Sequence, residues 1–195
     1  MDAPITVIRD FVPQDEINSI VNRIDLLEKD NFDMFAKDQA GLRLALQVGG
    51  VGDHPDAHKG LGAHLGMLSE DRPLFEGYFQ KVVQSVKDSF NIDKDLYMCS
   101  FWLAKQYPGA TVPIHDDTDS GFSPQNNYSG IVYLNTMQDG GDLSFVNFDY
   151  TYKPEAGSLV IFPSKEGGLH GVSRIDEIRY SLLFWMTFDK SKALV

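Results

Sequence analysis

Cysteine is scarce in this sequence: among 195 residues there is only one, Cys99. No intrachain disulfide can form, and a reducing, cytoplasmic setting is expected. Long apolar runs are missing too, because no stretch reaches the roughly 18 residues that a membrane-spanning helix needs. Residues 1–12 lack the basic-then-apolar pattern of a signal peptide. Cys99 lies in an alternating apolar run, which predicts a small buried side chain.

Basic residues are also few, with 17 Lys and Arg against 28 Asp and Glu, a formal net charge of −11. An acidic surface repels phosphate backbones, so we expect neither a nucleic-acid nor a membrane partner. The charge is compatible with a basic peptide substrate, although many soluble proteins are acidic without having one. Charge therefore excludes partners better than it identifies them.

Hydrophobic residues make up 43% of the chain and aromatic residues 12%, enough for the core of one domain. We expect a single domain over residues 1–195, with helical support in 1–95 and a β core in 96–189. Apolar residues at helical spacing follow Pro13, from Ile17 to Ile24, and a second such stripe runs from Pro73 to Phe90. Both stretches are predicted to be amphipathic helices packed against something larger.

From Leu96 onward the pattern changes to the alternation of β-strands. Tyr97, Cys99, Phe101 and Leu103 are expected on one face of the first strand, with Met98, Ser100 and Trp102 on the other. Turn signals, among them Gly140-Gly141 and Gly157, separate further strands. Those strands are predicted at Ile131–Asn135, Leu143–Phe148, Ser158–Phe162 and Arg179–Phe188. Several short strands preceded by helices predict a mainly β, α+β fold: a β-sandwich or jelly roll with helices on one sheet.

The stretch from Asn31 to Lys59 is ambiguous, because its glycines and scattered apolar residues fit a strand pair with a mobile loop but do not require one. His54 and His58 are four residues apart, and His64 follows them. Pro55 and the nearby glycines argue against a regular helix, and no cysteine completes a zinc site. A solvated loop is the preferred interpretation of these histidines.

His115, Asp117 and His170 are the residues that carry chemistry. In a strand, residues i and i+2 point to the same face, so His115 and Asp117 can converge on one ion. His170 follows a Gly-Gly turn and would come from a distant strand. Two histidines and one carboxylate form the facial site that binds non-haem Fe(II) and leaves coordination positions open.

Arg179 begins the last apolar strand, where it shares a face with Ser181, Leu183 and Trp185. A buried guanidinium needs a partner. One interpretation is a salt bridge to Asp176 or Glu177 at the sheet edge. The other is a clamp on the distal carboxylate of a dicarboxylate ligand, which suits the planar fork of arginine.

These residues and their surroundings resemble the prolyl 4-hydroxylase superfamily of 2-oxoglutarate- and Fe(II)-dependent oxygenases, over roughly residues 96–189. The matching segments are Tyr107-Pro-Gly, His115-Asp-Asp117, Tyr133-Leu-Asn, Gly140-Gly-Asp-Leu, Pro154-Glu-Ala-Gly, Phe162-Pro-Ser, His170-Gly-Val and Arg179-Tyr-Ser with Trp185. Among the branches, the tail from His170 to Asp189 is most similar to the oxygen-sensing prolyl hydroxylases, which also have arginine where collagen-type enzymes have lysine.

The resemblance implies a double-stranded β-helix and specific roles for the residues. His115, Asp117 and His170 would bind iron. The cosubstrate 2-oxoglutarate would be bound by Arg179 with Tyr133, Tyr107 and Ser181 beside it, and Trp185 and Asp116 are expected on the substrate side. The second arginine that nucleic-acid demethylases of this class carry on the last strand is missing between Phe184 and Thr187.

The resemblance further implies a dioxygenase that uses Fe(II), 2-oxoglutarate and O2, with ascorbate as an accessory reductant. The expected reaction is hydroxylation of an unactivated C–H bond with release of succinate and CO2, and the expected substrate is a prolyl residue of a protein or peptide. Hydroxylation of a free amino acid or other small metabolite is the alternative. A non-catalytic binding module of the same fold is the third hypothesis.

Overall fold

The computed structural model describes residues 4–31, 36–38, 43–50, 72–118, 125–165 and 168–194. Two long helices lie in these ranges, α1 (Gln14–Asn31) and α2 (Arg72–Phe90), and neither has the apolar stretch needed to span a lipid bilayer. The strands in the described ranges are β1 (Thr6–Ile8), β2 (Ala36–Asp38), β3 (Arg43–Gly50), β4 (Tyr97–Gln106), β5 (Val112–His115), β6 (Tyr128–Tyr133), β7 (Leu143–Phe145), β8 (Tyr150–Tyr152), β9 (Leu159–Pro163), β10 (His170–Val172) and β11 (Arg179–Thr187).

The strands form two antiparallel sheets. The larger has seven strands in the order β1-β9-β6-β11-β4-β3-β2, and the smaller has four in the order β5-β10-β7-β8. Apart from the consecutive neighbours β2-β3-β4 and β7-β8, strands that pair are not consecutive along the chain. This is typical of a jelly roll, where strands cross repeatedly between two facing sheets. The predicted jelly roll, mainly β with flanking helices, is confirmed.

Each helix buries one stripe against the larger sheet. In α1 the buried residues are Ile17, Ile20, Ile24 and Leu27, spaced three or four apart, as the helical period requires. The carbonyl of Pro13 accepts hydrogen bonds from the amides of Glu16 and Ile17, both at 3.1 Å, so the helix begins one residue after the predicted proline. The acidic side chains of its first turn interact favourably with the positive end of the helix dipole.

The second helix contributes aromatic rings to the same core. Phe75 and Phe79 of α2 lie 5.2 and 5.0 Å, centroid to centroid, from Phe101 of β4. Phe101 in turn lies 5.0 Å from Phe184 of β11. Burial of each such ring stabilises the fold by about 1.5–3 kcal/mol. These contacts therefore hold α2 against the centre of the larger sheet.

Strand β11 shows how alternation divides the molecule. Leu182, Phe184 and Met186 point toward the helices and belong to their core. The residues between them, Ser181, Leu183 and Trp185, line a pocket on the opposite face, between the two sheets. One face of β11 therefore packs against the helices, and the other lines the pocket.

Alternation fails at one place in β4. Opposite Trp185 and Met186, the partner residues are Ser100 and Met98, so Cys99 is an extra residue in the ladder. This β-bulge reverses the faces of the residues before it, and Met98 joins the helix-facing core with Phe101 instead of lying opposite to it. Cys99 is 2% exposed and free, as predicted, and its thiol lies 3.4 Å from the amide oxygen of Asn126.

Two further differences concern short elements. The strand predicted to extend to Phe148 ends at Phe145, because Val146–Phe148 form a turn of 3-10 helix and Asp149 adopts a left-handed conformation with φ of 49°. Strands β1 and β8 have three residues each, too few for a period to be recognised. Of the ambiguous stretch 31–59, the strand pair is present as β2 and β3, whereas His54, His58 and His64 lie outside the described residues.

Candidate active site

The two histidines come together because their strands are neighbours in the smaller sheet. His115 ends β5 and His170 begins β10, and the two residues are directly paired, with ring centroids 4.5 Å apart. Asp117 follows His115 by two residues and turns to the same side. One potential ligand atom from each of the three side chains lies within 4.8 Å of the other two.

Backbone carbonyls orient both imidazole rings. Nδ1 of His115 lies 2.8 Å from the carbonyl oxygen of Pro113, and Nδ1 of His170 lies 2.6 Å from that of Gly168. An Nδ1–H that donates to a carbonyl leaves the Nε2 lone pair for a metal. Burial lowers the pKa of His170, which favours the neutral, metal-binding form despite the opposing charge of Asp117.

The carboxylate of Asp117 is held through one oxygen, and its other oxygen faces the ring of His115. The hydroxyl of Ser129 donates to Oδ2 at 2.5 Å, and Nε2 of His115 lies 3.4 Å from Oδ1. Burial tends to raise the pKa of Asp117, but its contacts with His115, His170 and Ser129 together hold that pKa below its usual value. The group is thus an anion beside two imidazoles, the donor set expected of a facial Fe(II) site.

A pocket connects this triad to Arg179. Its walls include His115, Asp117, His170, Arg179, Ser181 and Trp185. Arg179 and Ser181 are buried, whereas Leu183 and Trp185 are half-buried, so the pocket opens along β11 toward Trp185. Its volume is about 60 Å³, which limits the enclosed part to a small ligand.

Arg179 has neutral partners. Its Nη1 donates to Oε1 of Gln106, and its Nη2 lies 3.3 Å from the hydroxyl of Tyr133. The alternative salt bridge at the sheet edge is not formed: Asp176 accepts from Arg174, and Glu177 accepts from the amide of Gln138.

Two buried polar atoms in this pocket lack a hydrogen-bond partner, Nε of Arg179 and Oγ of Ser181. Arg179 is 2% exposed and Ser181 is fully buried. Unpaired buried donors cost free energy and point to a missing ligand. A carboxylate would satisfy both, so the donors fit the far end of a dicarboxylate whose near end reaches the triad.

Two expected site residues do not line this pocket. Tyr107 is not part of the pocket wall, because its hydroxyl donates to Glu28 of α1 at 2.5 Å and its ring packs on the helix-facing core. The expectation that it lies beside the cosubstrate therefore does not agree with the geometry. Asp116 accepts hydrogen bonds from the amide and hydroxyl of Thr118, at 2.7 and 2.6 Å, which stabilise the turn after β5. It does not line the pocket, and its position on the substrate side stays a prediction.

Two polar pocket residues were not anticipated, Gln106 and Ser129. Alternation from Tyr133 through Ile131 places Ser129 on the same face, so a signal for it was present in the sequence. Gln106 could not be found in this way, since its contact with Arg179 depends on the pairing of β4 with β11.

Comparisons with known proteins agree with this site. Residues 101–187 match the family model of the 2OG-Fe(II) oxygenase superfamily, and this range contains the triad, Tyr133 and Arg179. No curated protein matches the chain.

Solved structures of prolyl hydroxylases share the fold. The viral collagen prolyl hydroxylase of Paramecium Bursaria Chlorella virus-1, in complex with 2OG, has 17% identity and a TM-score of 0.63 over 97% of this chain and 98% of that one. The Pseudomonas putida prolyl-4-hydroxylase has 19% identity and a TM-score of 0.62 over 95% and 93%. The Trichoplax adhaerens prolyl hydroxylase, in complex with a hypoxia inducible factor peptide fragment, has 16% identity and a TM-score of 0.64 over 98% and 86%. The chain is therefore similar to the 2OG-Fe(II) oxygenase superfamily over residues 101–187, and it shares the fold of these prolyl hydroxylases over nearly its whole length.

Proposed function

We propose that this enzyme hydroxylates a prolyl residue of a protein or peptide, with one 2-oxoglutarate and one O2 consumed and one succinate and one CO2 released. The observation that carries the proposal is the pocket that joins the triad to a buried arginine with an unpaired donor. A ligand that chelates metal at one end and carries a carboxylate at the other fits both groups at once.

The triad residues would hold the metal through Nε2 of His115 and His170 and a carboxylate oxygen of Asp117. Ser129 holds the other carboxylate oxygen, and the carbonyls of Pro113 and Gly168 hold the rings. These contacts fix the three donors before the metal arrives, so little ordering is needed on binding. When bound, ferrous iron supplies the activation of O2 that is coupled to oxidative decarboxylation of 2-oxoglutarate.

At the other end of the pocket, Arg179 would bind the distal carboxylate of 2-oxoglutarate through Nε, and Ser181 would donate its hydroxyl. Tyr133 supports the guanidinium from below, with the ring centroid 5.0 Å from the central carbon of Arg179. Because these donors are buried, the carboxylate would bind in a site from which water is largely excluded, where charge-assisted hydrogen bonds are strong.

The substrate would approach from the open side, where His115 and Trp185 are accessible. The side chain of His115 is 39% exposed, whereas His170 is 4% exposed. Trp185 stands in a T-shaped contact with Trp102 at 6.2 Å, and this pair offers a rigid aromatic wall of the kind that packs well on a prolyl ring. The prolyl hydroxylases among the structural neighbours support a prolyl substrate. The net charge of −11 favours binding of a peptide that is basic.

A turnover assay tests the substrate. The purified protein is incubated with Fe(II), 2-oxoglutarate, O2 and ascorbate, and with either a library of proline-containing peptides or free amino acids. We expect succinate release together with a peptide mass gain of one oxygen atom, and neither should occur with His115→Ala. Succinate release that is coupled to hydroxylation of free proline alone would assign the enzyme to small metabolites instead. A matched library in which alanine replaces proline controls for other hydroxylation sites.

A cytoplasmic location remains a prediction that rests on the single cysteine. The non-catalytic alternative makes an opposite set of predictions: no 2-oxoglutarate would be consumed, and His115→Ala would leave partner binding unchanged.

A further inference from the structure

We infer that Gln106 makes the enzyme selective for a dicarboxylate cosubstrate, because it holds Arg179 through a neutral acceptor and leaves the positive charge available to the ligand. The inference rests on the proposed role of Arg179 in binding 2-oxoglutarate. Gln106 is the last residue of β4, is 2% exposed, and lines the pocket directly opposite Arg179 in the sheet.

The contact is specific to one edge of the guanidinium. Nη1 donates to Oε1 of Gln106, Nη2 is directed to the hydroxyl of Tyr133, and Nε remains without a partner. Both partners are uncharged. Among the described residues no carboxylate lies within ion-pairing distance of Arg179. The protein therefore orients the guanidinium of Arg179 without neutralising its positive charge.

A buried cation that the protein does not neutralise is costly unless an anion arrives with the ligand. The amide oxygen of Gln106 accepts a hydrogen bond from one donor of the guanidinium but brings no negative charge. The distal carboxylate of the cosubstrate would supply that negative charge. Discrimination follows directly: a keto acid with an uncharged tail would leave Arg179 buried and unpaired, so it should bind far more weakly than a dicarboxylate.

The substitution Gln106→Glu would remove this discrimination while keeping the size of the side chain. The new carboxylate would lie against Nη1 and form an internal ion pair with Arg179. An incoming carboxylate would then meet a neutralised guanidinium and a neighbouring like charge. We expect 2-oxoglutarate to bind about 10- to 100-fold more weakly, the range that loss of a charge-assisted hydrogen bond gives. A keto acid with an uncharged tail should bind with unchanged or higher affinity.

The test measures binding, not turnover. Protein loaded with Mn(II) is titrated by calorimetry with 2-oxoglutarate and with 2-oxopentanoate, which has the same chain length and a methyl group in place of the distal carboxylate. We expect wild type to prefer 2-oxoglutarate strongly and Gln106→Glu to lose at least about tenfold of that preference. Gln80→Glu, which adds the same charge on the exposed surface of α2, should leave the preference unchanged.

Gln106→Met keeps the bulk and removes the acceptor. The charge of Arg179 remains, but its orientation is less restricted, so 2-oxoglutarate should bind a few-fold more weakly while 2-oxopentanoate is unaffected. This variant keeps the inference testable should Gln106→Glu not fold, which thermal melting reveals.

The outcomes separate the two proposals. If wild type binds 2-oxoglutarate no better than 2-oxopentanoate, the role of Arg179 in the proposed function is wrong. If wild type has the preference and the folded variants at position 106 retain it in full, Gln106 is only a packing residue and the inference is overturned.

Discussion

Replacing Lys105 with methionine should destabilise the fold strongly, because this lysine joins α1 to the larger sheet. Its Nζ lies 2.7 Å from Oδ1 of Asp25 and 2.6 Å from Oε2 of Glu28, and its side chain is 9% exposed. The hydroxyls of Tyr107 and Tyr180 donate to the same two carboxylates, at 2.5 and 2.9 Å. The variant would leave those carboxylates without their cation.

The magnitude follows from the exposure of each partner. Breaking a buried pair by removing one member costs about 3–5 kcal/mol, whereas an exposed pair is worth about 0.2–1 kcal/mol. Glu28 is 16% exposed and Asp25 is 44% exposed, so the first contact is close to the buried case and the second is screened by water. We expect a loss of about 2–4 kcal/mol in the free energy of unfolding, or about 5–15 °C in Tm for a chain of this size.

Urea unfolding followed by circular dichroism measures the effect. The double variant Lys105→Met with Glu28→Gln should lose less than the sum of the two single variants, because the unpaired carboxylate is gone. Lys190→Met, on the exposed surface, should change stability by less than about 0.5 kcal/mol. A loss below about 1 kcal/mol for Lys105→Met would refute the network as a structural tie.

The pH dependence has a definite sign. Burial tends to lower the pKa of Lys105, but the carboxylates of Asp25 and Glu28 raise it above the ordinary value overall. The contribution of Lys105 is therefore complete below the unfolded lysine pKa of about 10.4 and declines only as pH rises through the higher folded value. The difference between wild type and Lys105→Met should stay constant between neutral pH and about pH 10.

Three further predictions concern the site and the turns. Arg179→Lys keeps the charge but loses the planar fork, so KM for 2-oxoglutarate should rise about 10- to 100-fold, with a smaller change in kcat, and an unchanged KM would contradict the clamp. Ser129→Ala removes the donor to Asp117 and should weaken Mn(II) binding about 10- to 100-fold by calorimetry, whereas equal affinity would mean that Asp117 is held by other contacts. Gly140→Ala should cost at least about 1–3 kcal/mol in urea unfolding, because φ is +67° and the added Cβ would lie 2.1 Å from the carbonyl oxygen of Arg174; a stable variant would show that this turn can rearrange.

The sequence predicted the parts of the fold that repeat with a clear period. The spacing of Ile17 and Ile24 predicted α1. Alternation from Arg179 to Trp185 correctly placed every second residue of this range on the pocket side of β11. Alternation also predicted that His115 and Asp117 would share a side. These features depend on neighbours in sequence, so a single strand or helix carries the whole signal.

Features that depend on pairing between strands were not predictable in the same way. The bulge at Cys99 reverses the face of Met98 and has no local signature. Gln106 reaches Arg179 only because β4 and β11 are neighbours. Tyr107 was expected in the pocket through resemblance alone, and its contact with Glu28 depends on where α1 packs on the sheet.

The central claim is that the triad and Arg179 form one site that consumes 2-oxoglutarate with iron. The most direct test is succinate formation from 2-oxoglutarate in the presence of Fe(II) and O2, with Asp117→Ala as the matched control. We predict succinate formation by wild type that stops on removal of iron by a chelator and is absent in Asp117→Ala. Equal succinate formation by both proteins, or none by the folded, iron-loaded wild type with a library of proline peptides and free amino acids, would contradict the account.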